Sequence, residues 1–421
     1  MLRFRAASTQ QSVPEKEKFS STDATPIEPR IVLILSNMYP RKSHPSGGIF
    51  VHEQVKALRK QGIDARVLSG EPSGPRSFYQ DNRRWLCAHP GHWELIDDVP
   101  VIKFPYLAGV SYRSFQIDAD TYAFAALRCI ARLKPTFNFQ IIHAHTSYLD
   151  GTAGRKLAKK YHVPLVITEH MGPFKLLTET FLRKRKTQLA INAAQKLIAV
   201  SNTLLRDICS EVDVKQPENT CVLPNLVNTH LFCVAPEVSK KCDTKIHMLW
   251  VGHFVEVKRV DRLLQALAIA VKKEPRLCLR LLGNGALQDE FVRMVARLSL
   301  ENHVDFLGWS NQNDLVKHYQ ASDFLVVSSE TETFSVVTIE AMSCGLPILT
   351  TNCGGPSEIV NDASIGLVVE QSAQALAQGM LDMISHDDKF DAKRIRQIAE
   401  QRYAAHVVAS NIINTYQSVL L

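Results

Sequence analysis

Short apolar runs alternate with amphipathic stretches along most of the chain. The runs Ile31–Leu35 and Phe324–Val327 are continuously apolar, which is typical of strands covered on both faces. Patterns of helical period, such as the one at 152–161, follow many of these runs. Because strands that alternate with helices pair in parallel and carry helices on both faces, the sequence predicts an α/β fold of doubly wound, Rossmann-like sheets.

The predicted strands fall into two sets on either side of a polar segment. The first set comprises residues 31–35, 65–68, 101–104, 141–142, 165–168 and 197–200, and the second comprises 248–251, 279–282, 304–307, 324–327 and 348–350. Helices are predicted at 50–61, 121–133, 152–161, 203–208, 336–344, 373–384 and 394–421. A chain of 421 residues that is 45% hydrophobic can bury two cores, so we expect two domains.

The polar segments set the predicted domain boundaries. Residues 1–29 are expected to form a disordered arm without the apolar core of a signal peptide. The first Rossmann-like domain is predicted at 30–234, a linker at 235–245 and the second Rossmann-like domain at 246–400. The longest apolar runs are too short to span a membrane.

The amino-acid composition limits the cellular compartments and the binding partners that we expect for this chain. Nine cysteines, an odd number without a Cys-x-x-Cys motif, favour a reducing, cytoplasmic environment over a disulfide framework. Basic clusters at 155–160 and 183–186 are either solvated helix faces or contacts with an anionic membrane, where each cation contributes about 1 kcal/mol. No aromatic residues are interleaved with these clusters in the manner of a nucleic-acid-binding motif, so nucleic acid is not an expected partner.

The stretch 328–351 carries the most distinctive chemistry. It joins a buried strand to a polar turn with Glu332, a helix with Glu340 and a second strand, and Thr333 or Ser335 is a suitable N-cap for the helix. Such a unit points the unpaired N–H groups of a helix N-terminus at the carboxyl edge of the sheet, where a phosphate is favoured. Taken alone, the two glutamates are either acceptors for sugar hydroxyls or an ordinary helix-start acid and a solvated helical acid.

Two further motifs follow these glutamates. Glu332-x7-Glu340 continues into Ala341-Met342-x-x-Gly345-x-Pro347 and then into Gly354-Gly355-Pro356-x-Glu358. This combination resembles the nucleotide-sugar signature of retaining glycosyltransferases of the family-4 type. The resemblance covers 31–416 and implies the GT-B fold, in which two Rossmann-like domains face each other across a cleft. It also implies that the terminal helix, here 401–421, crosses back to the first domain.

The resemblance implies a set of donor-binding residues. Glu332 would hold hydroxyls of the donor sugar, Glu340 would hold the ribose, and Lys258 would neutralise the leaving diphosphate. His170, at the end of a predicted strand, resembles the histidine that contacts the transferred sugar or its phosphate. The expected catalytic residues are therefore Glu332, Lys258 and His170, and the further donor contacts are Glu340, His253, Arg259, Gly252, Gly283, Thr333, Phe334, Ser335, Val336, Gly47 and Gly48.

Two positions near the expected diphosphate site depart from the family pattern. The family usually has arginine where this chain has His253, and tends to have glycine where it has Arg259. An imidazole is cationic only when protonated. We therefore expect Arg259 to bind the diphosphate in part, in place of the arginine that the family usually has at position 253.

Three groups look like metal ligands but have simpler explanations. His143-Ala144-His145 lacks a third ligand at a suitable spacing, and Cys87-x-His89-x-x-His92 lacks a fourth. Asp118-Ala119-Asp120 precedes a helical pattern, where acidic residues are ordinary. We expect no metal and no cofactor beyond the donor substrate.

The resemblance implies a retaining hexosyltransferase. It would move a sugar from a UDP- or GDP-sugar to a hydroxyl of a glycan or lipid-linked acceptor, in polysaccharide or glycolipid biosynthesis. It would act in the cytoplasm or on the inner face of a membrane. Two alternatives stay open: a nucleotide-sugar epimerase on the same fold, which would react without an acceptor, and a non-catalytic nucleotide-sugar-binding scaffold.

Overall fold

Two β-sheets form the framework of the chain. The computed structural model describes residues 31–41, 47–74, 93–108, 117–133, 137–235 and 245–420. In these ranges the first sheet contains β1 (Ile31–Leu35), β2 (Asp64–Ser73), β3 (Glu94–Ile96), β4 (Val99–Leu107), β5 (Ile141–Ala144), β6 (Leu165–Glu169), β7 (Lys196–Ala199) and β8 (Thr220–Val222). The second sheet contains β9 (Ile246–Val251), β10 (Leu277–Leu282), β11 (Val304–Gly308), β12 (Phe324–Val327), β13 (Ile348–Thr351) and β14 (Gly366–Val369).

Helices cover both sheets. Those of the first domain are α1 (Ile49–Lys60), α2 (Asp118–Leu133), α3 (Leu149–Tyr161), α4 (Phe181–Ile191) and α5 (Asn202–Glu211). The second half contains α6 (Val260–Ala270), α7 (Gln288–Arg297), α8 (Gln312–Gln320), α9 (Val336–Ser343), α10 (Gly355–Ile359), α11 (Ala373–Ser385), α12 (Ala392–Tyr403) and α13 (Ala405–Leu420). Short 3₁₀ turns lie at Phe174–Leu177, Pro217–Asn219, Glu256–Lys258 and Asp387–Lys389.

The strand order creates a switch point in each sheet. The first sheet has the order β3-β4-β2-β1-β5-β6-β7-β8, and the second has β11-β10-β9-β12-β13-β14. The chain therefore winds outward in opposite directions from β1 and β5, and again from β9 and β12. Doubly wound folds bind ligands beyond the carboxyl ends of the strands at such points. The predicted class, with two Rossmann-like sheets, is confirmed.

The first sheet buries side chains on both faces. Leu33 and Leu35 of β1 pack in the cluster with α2 and α3, whereas Val32 and Ile34 pack in the cluster with α1 and α13. All four side chains are fully buried. The strand therefore has no polar face, as its continuously apolar sequence predicts.

Peripheral elements differ most from the predicted pattern. The ranges predicted above do not include α4, α6, α7, α8, α10, β3, β8 and β14. Strand β3 also breaks the parallel rule, because it pairs antiparallel with β4 through Asp97 and Asp98. Both residues have positive φ angles, of 46° and 64°, as the primed two-residue hairpin turns require.

The predicted helix at 394–421 is two helices. The chain leaves helical geometry at Ala404, where ψ is 142°. There the Val227 N–H donates to the Tyr403 carbonyl at 2.9 Å, and Val227 pairs with Ala404 as a short parallel bridge. The Tyr403 carbonyl thus accepts a hydrogen bond from Val227, in the segment that crosses between the domains, and the helix is interrupted between α12 and α13.

Helix α13 returns to the first sheet. Gln61 Nε2 at the end of α1 donates to the His406 carbonyl at 2.7 Å. The Tyr416 hydroxyl lies 2.7 Å from His143 Nδ1, and both side chains are fully buried. Thr168 Oγ1 lies 2.7 Å from the other ring nitrogen of His143. This buried chain of hydrogen bonds ties α13 to β5 and β6.

The substitution Tyr416→Phe tests this attachment. It keeps the ring but leaves His143 Nδ1 without its buried partner, so the free energy of unfolding should fall by about 1–3 kcal/mol. Denaturant titration followed by circular dichroism measures the change. The control Asn414→Ala, at an exposed position of α13, should stay within about 0.5 kcal/mol of wild type. Equal effects of the two substitutions would contradict the role of the Tyr416 hydroxyl in attaching α13 to the first sheet.

Candidate active site

Opposite charges meet beyond the ends of β9 and β12. Lys258 ends the 3₁₀ turn after β9, and Glu332 lies in the turn after β12. The Lys258 ammonium donates to Glu332 Oε1, and Ser329 Oγ donates to the same oxygen at 2.9 Å. The side chains of Lys258 and Glu332 are 26% and 14% exposed, so solvent reaches the pair. It lies at the switch point of the second sheet, where this type of fold binds its ligand.

Backbone hydrogen bonds fix the loops that carry this pair. Ser328 Oγ donates to the Lys258 carbonyl at 2.8 Å. The Glu332 N–H donates to the Cys353 carbonyl at 2.7 Å, and the Glu332 carbonyl accepts from the Gly355 N–H at 2.9 Å. The loops after β9, β12 and β13 are therefore joined, and the two charges are held close together.

The N-terminus of α9 lies at the same edge of the sheet. Ser335 is its N-cap residue with a φ of 76°, but its side chain caps no backbone N–H. Its Oγ instead accepts a hydrogen bond from Thr338 Oγ1 at 2.9 Å. Phe334 is buried, and its ring packs edge-on against Tyr403. The first N–H groups of α9, beginning at Val336, therefore lack a side-chain cap and favour an anion.

Glu340 lies on the buried side of α9. The Tyr319 hydroxyl donates to Glu340 Oε2 at 2.9 Å, and both side chains are buried. Burial raises the pKa of Glu340 to about 7, although the Tyr319 hydroxyl acts in the opposite direction. The carboxyl group therefore changes charge near neutral pH. It is not the solvated helical acid that the sequence also allowed.

His170 follows β6 in the first domain. Its Nε2 lies 3.1 Å from His145 Nδ1, and its ring centroid lies 4.7 Å from that of Phe50. The carboxylate of Glu169 accepts the His170 N–H at 2.9 Å. Burial lowers the pKa of His170 to about 3. The imidazole is therefore neutral near neutral pH and can form hydrogen bonds to a ligand without contributing charge.

The carboxyl edges of the two sheets face each other. Thr333 Oγ1, after β12, donates to the carbonyl of His170, after β6, at 3.2 Å. Glu358, after β13, accepts from the N–H of Asn202, after β7, at 2.8 Å. Residues beyond strand ends of one sheet thus contact residues beyond strand ends of the other. The candidate site lies between the two domains.

The predicted glycine loops are closely packed. Gly48 caps α1 with a φ of 69°, and a Cβ atom there would lie 2.3 Å from the Met38 carbonyl oxygen. Gly283 has a φ of 150°, and a Cβ atom there would lie 1.8 Å from the Gly252 carbonyl oxygen. Side chains are therefore excluded at Gly48 and Gly283. Gly47 and Gly48 thus place backbone without side chains at the start of α1, and Gly283 does so at the end of β10.

The two departures from the family pattern have different surroundings. His253 is exposed after β9. Arg259 has a φ of 51°, a conformation that favours glycine. Its guanidinium pairs with Asp261 at 2.9 Å and with Glu330 at 3.4 Å. Two carboxylates already compensate this charge, so the predicted grip of Arg259 on a diphosphate requires these pairs to rearrange.

The metal-like groups have structural partners where they are described. Asp118 and Asp120 lie in the first turn of α2, and Asp120 contacts Lys156 at 3.1 Å and Lys186 at 2.8 Å. Within the described ranges, no group of three or more His, Cys, Asp or Glu side chains is arranged to hold a metal ion. The motif at 87–92 lies outside those ranges.

The sequence-based set omits four residues of this site. Ser329 contacts Glu332 from the polar run after β12, and that run was a usable signal. The hydroxyl of Tyr319 reaches the site from α8, for which no local sequence signal exists. His145 was considered only as a metal ligand, and Glu358 belonged to a motif without an assigned role.

Comparison with known proteins identifies the family. Residues 47–231 match the family described as Glycosyltransferase Family 4, and residues 235–402 match the one described as Glycosyl transferases group 1. Both halves of the chain therefore carry a glycosyltransferase domain, and together they have the GT-B fold. The junction of the two matches lies between β8 and β9.

Known relatives of this glycosyltransferase are distant in sequence. An uncharacterized glycosyltransferase of Methanocaldococcus jannaschii is 24% identical, over 85% of this chain and 90% of its own. The D-inositol 3-phosphate glycosyltransferase of Thermobispora bispora is 26% identical, over 88% of this chain and 89% of its own.

Solved structures share the fold of this glycosyltransferase. Anabaena HepE in complex with UDP has a TM-score of 0.70 at 21% identity, covering 92% of this chain and 100% of HepE. Sucrose-phosphate synthase of Thermosynechococcus elongatus has a TM-score of 0.74 at 20% identity, covering 93% of this chain and 99% of its own. These similarities support the two-domain architecture described above.

The burial of Glu340 predicts a pH-dependent stability. Its pKa is about 7 in the folded protein against an ordinary value of 4.5, so the folded state binds this proton more tightly. The resulting stabilisation is complete below the ordinary pKa and is lost as the pH rises through about 7. The loss is roughly 3 kcal/mol, since each pKa unit corresponds to about 1.36 kcal/mol.

The substitution Glu340→Gln, which stays neutral, should remove this loss. The variant should therefore gain stability relative to wild type between about pH 5 and about pH 8. Denaturant titrations of both proteins at these two pH values measure the difference. A constant difference in the free energy of unfolding would contradict the raised pKa.

Proposed function

We propose that this glycosyltransferase moves a hexosyl group from a nucleoside diphosphate sugar to a hydroxyl of a glycan or lipid-linked acceptor, with retention of configuration. The observation that carries the proposal is the Lys258–Glu332 pair at the switch point of the second sheet, in the turns beside the uncapped N-terminus of α9. A cation, open N–H groups and a carboxylate together suit a diphosphate joined to a sugar. The complexes of Anabaena HepE with UDP and with UDP-glucose support a donor of this class.

Donor binding would separate the ion pair. The diphosphate would take the place of the Glu332 carboxylate next to the Lys258 ammonium, and the N–H groups from Thr333 to Val336 would bind its oxygens. The released Glu332 would accept hydrogen bonds from hydroxyls of the donor sugar. Glu340, on the same helix, would accept them from the ribose.

The chemical step places growing negative charge near these groups. The bond between the anomeric carbon and the diphosphate oxygen breaks, and the acceptor hydroxyl forms a new bond to that carbon from the same face. The hydroxyl proton passes to the leaving phosphate oxygen. Lys258 and the start of α9 stabilise the charge that accumulates on this phosphate, in the role that a metal ion would otherwise have. Neutral His170 contacts the sugar from the first domain.

Substitution of Lys258 tests the assigned chemistry. Lys258→Ala should lower kcat/KM by about 10²–10³-fold, because it removes charge stabilisation that grows in the transition state. Glu332→Gln should also lower turnover, and Lys258→Arg should recover part of it. The assay is release of nucleoside diphosphate, with the donor chosen by a thermal-shift screen of UDP-, GDP- and ADP-sugars. Lys317→Ala, on the exposed face of α8, is the matched control.

The same assay separates the alternative functions. An epimerase would convert the nucleotide sugar without releasing nucleoside diphosphate, and a scaffold would bind the donor without turnover. Full activity of Glu332→Gln would contradict the donor site. Inversion of the anomeric configuration in the product, detected by proton NMR, would contradict retention.

We also propose that the protein binds an anionic membrane surface on the cytoplasmic side, in support of a lipid-linked acceptor. The side chains of Phe181 and Leu182, at the start of α4, are 76% and 48% exposed. Lys184 and Arg185 are exposed beside them. Basic residues next to exposed apolar side chains suit the headgroup boundary of such a membrane. Among the described helices, none has the length and apolar character required to cross a bilayer.

Half of this basic cluster has structural partners. Arg183 is buried and lies 4.0 Å from Asp118, and Lys186 contacts Asp120 at 2.8 Å. The proposed surface therefore consists of Phe181, Leu182, Lys184 and Arg185, together with Lys175 and Leu176 of the preceding exposed turn.

Vesicle co-sedimentation tests this surface. The double substitution Lys184→Ser with Arg185→Ser should weaken binding to phosphatidylglycerol-containing vesicles about 30-fold, at about 1 kcal/mol per cation. Binding should also weaken as salt is added. The control is Lys272→Ser with Lys273→Ser, two exposed cations of the second domain. Equal binding of wild type to phosphatidylcholine vesicles, or no effect of the first pair, would contradict the proposal.

A further inference from the structure

The carboxylate of Glu358 accepts four hydrogen bonds from the first domain. Its carboxylate accepts from the Asn202 N–H at 2.8 Å, from Asn202 Nδ2 at 3.1 Å and from Thr203 Oγ1 at 2.5 Å. It also accepts from the Thr203 N–H. These donors lie at the N-terminus of α5, where the first N–H groups have no partner within the helix and the helix dipole favours an anion.

The helix has its own cap in addition to Glu358. Ser201 Oγ accepts from the Leu204 N–H at 3.1 Å. The amides of Asn202 and Thr203 therefore depend on the carboxylate from the second domain. Burial raises the pKa of Glu358, but the hydrogen bonds from Thr203 and Asn202 outweigh this and keep the pKa below its ordinary value. The acid is thus charged at neutral pH.

The loop that carries Glu358 also holds the backbone of Glu332. The Glu332 carbonyl accepts from Gly355, and Glu332 forms a short parallel bridge with Gly354. A Cβ atom on Gly354 would lie 2.7 Å from the Glu332 carbonyl oxygen, and one on Gly355 would lie 2.4 Å from Phe334 Cα. The two loops are therefore in direct contact, and a displacement of one is transmitted to the other.

The same interface carries a contact to His170. Thr333, the neighbour of Glu332, donates to the His170 carbonyl at 3.2 Å. A Cβ atom on Gly172 would meet the Thr333 methyl group at 2.2 Å, so the Thr333 side chain packs directly against the Gly172 backbone. Contact of Glu358 with α5 and contact of Thr333 with His170 thus occur in the same relative position of the domains.

From these contacts we infer that Glu358 is a positioning residue that couples domain closure to the donor site. With Asn202 and Thr203 it forms an interdomain latch. When the latch is made, Gly354 and the short helix α10 hold the Glu332 backbone at a fixed distance from His170. When it is open, both sides of the site remain folded but are not aligned. The effect on catalysis rests on the proposed function, whereas the latch itself does not.

Hydrogen exchange tests the latch without reference to activity. In wild type the amides of Asn202 and Thr203 should exchange slowly, because Glu358 accepts both. In Glu358→Gln they should exchange at least about tenfold faster, while amides in the middle of α5 are unchanged. The control Glu274→Gln removes an acid that pairs only within its own loop, with Arg276. Unchanged exchange at Asn202 and Thr203 in Glu358→Gln would overturn the latch.

A double-mutant cycle on turnover tests the coupling. Glu358→Gln should lower kcat by about tenfold or more with donor affinity within about threefold, because the donor-binding groups themselves are intact. Thr203→Val, which removes one hydroxyl donor and keeps the shape, should lower kcat less. Combined with Glu358→Gln it should add almost nothing, since both act on one interaction.

The outcomes distinguish this proposal from the function it rests on. Additive effects, or a wild-type kcat in Glu358→Gln, would overturn the coupling. A uniform fall in stability without a change in kcat would assign Glu358 a structural role only. If wild type releases no nucleoside diphosphate from any donor, the proposed function fails, and the exchange experiment still decides whether the latch exists.

Discussion

The Lys258–Glu332 ion pair is the interaction around which the functional edge of this protein is built. The two charges come from the turns after β9 and β12, the strands on either side of the switch point of the second sheet. Only the parallel winding of that sheet brings these distant segments together. Because both side chains are partly exposed, the pair is not a buried structural bridge and adds little to stability. Its importance is that Lys258 and Glu332 can each give up the other as a partner and bind a ligand instead.

The second constraint is the contact between the domains. Polar groups beyond the strand ends of one sheet bind polar groups beyond the strand ends of the other, through Glu358 and Thr333. The same segments hold the backbone of Glu332, so alignment of the domains and geometry of the proposed donor site are not independent. Helix α13, anchored to β5 through Tyr416, joins the two domains at a separate point. A reaction that requires groups from both domains gains from such coupling, because misplacement of either half lowers the rate.

Much of the fold could be predicted because its strands are continuously apolar. Burial on both faces makes runs such as Ile31–Leu35 and Phe324–Val327 unmistakable, and both occur with the predicted bounds. Elements with mixed sequences were missed, such as β3 and α4. The break at Ala404 could not be predicted, since the residue that pairs with it, Val227, comes from a distant part of the chain.

The candidate site, like the fold, could be predicted only in part. Motifs indicated Glu332, Lys258 and Glu340, and the structure adds the groups that these side chains contact: Ser329 for Glu332, Glu332 for Lys258 and Tyr319 for Glu340. Ser329 lies in the same polar run as Glu332, whereas the partners of Lys258 and Glu340 come from separate segments, so no local pattern contains those two pairings. The neutral state of His170 likewise follows from burial, which is a property of the folded protein. Of the two acids that pair with Arg259, Asp261 is only two residues away in the sequence, whereas Glu330 comes from the distant turn after β12.

The most direct test of the account is a crystal structure with the nucleoside diphosphate of the preferred donor. The account predicts that a phosphate oxygen lies within hydrogen-bonding distance of Lys258 Nζ and of the first N–H groups of α9, and that Glu332 has separated from Lys258. A nucleotide bound elsewhere, with the Lys258–Glu332 pair intact, would contradict it.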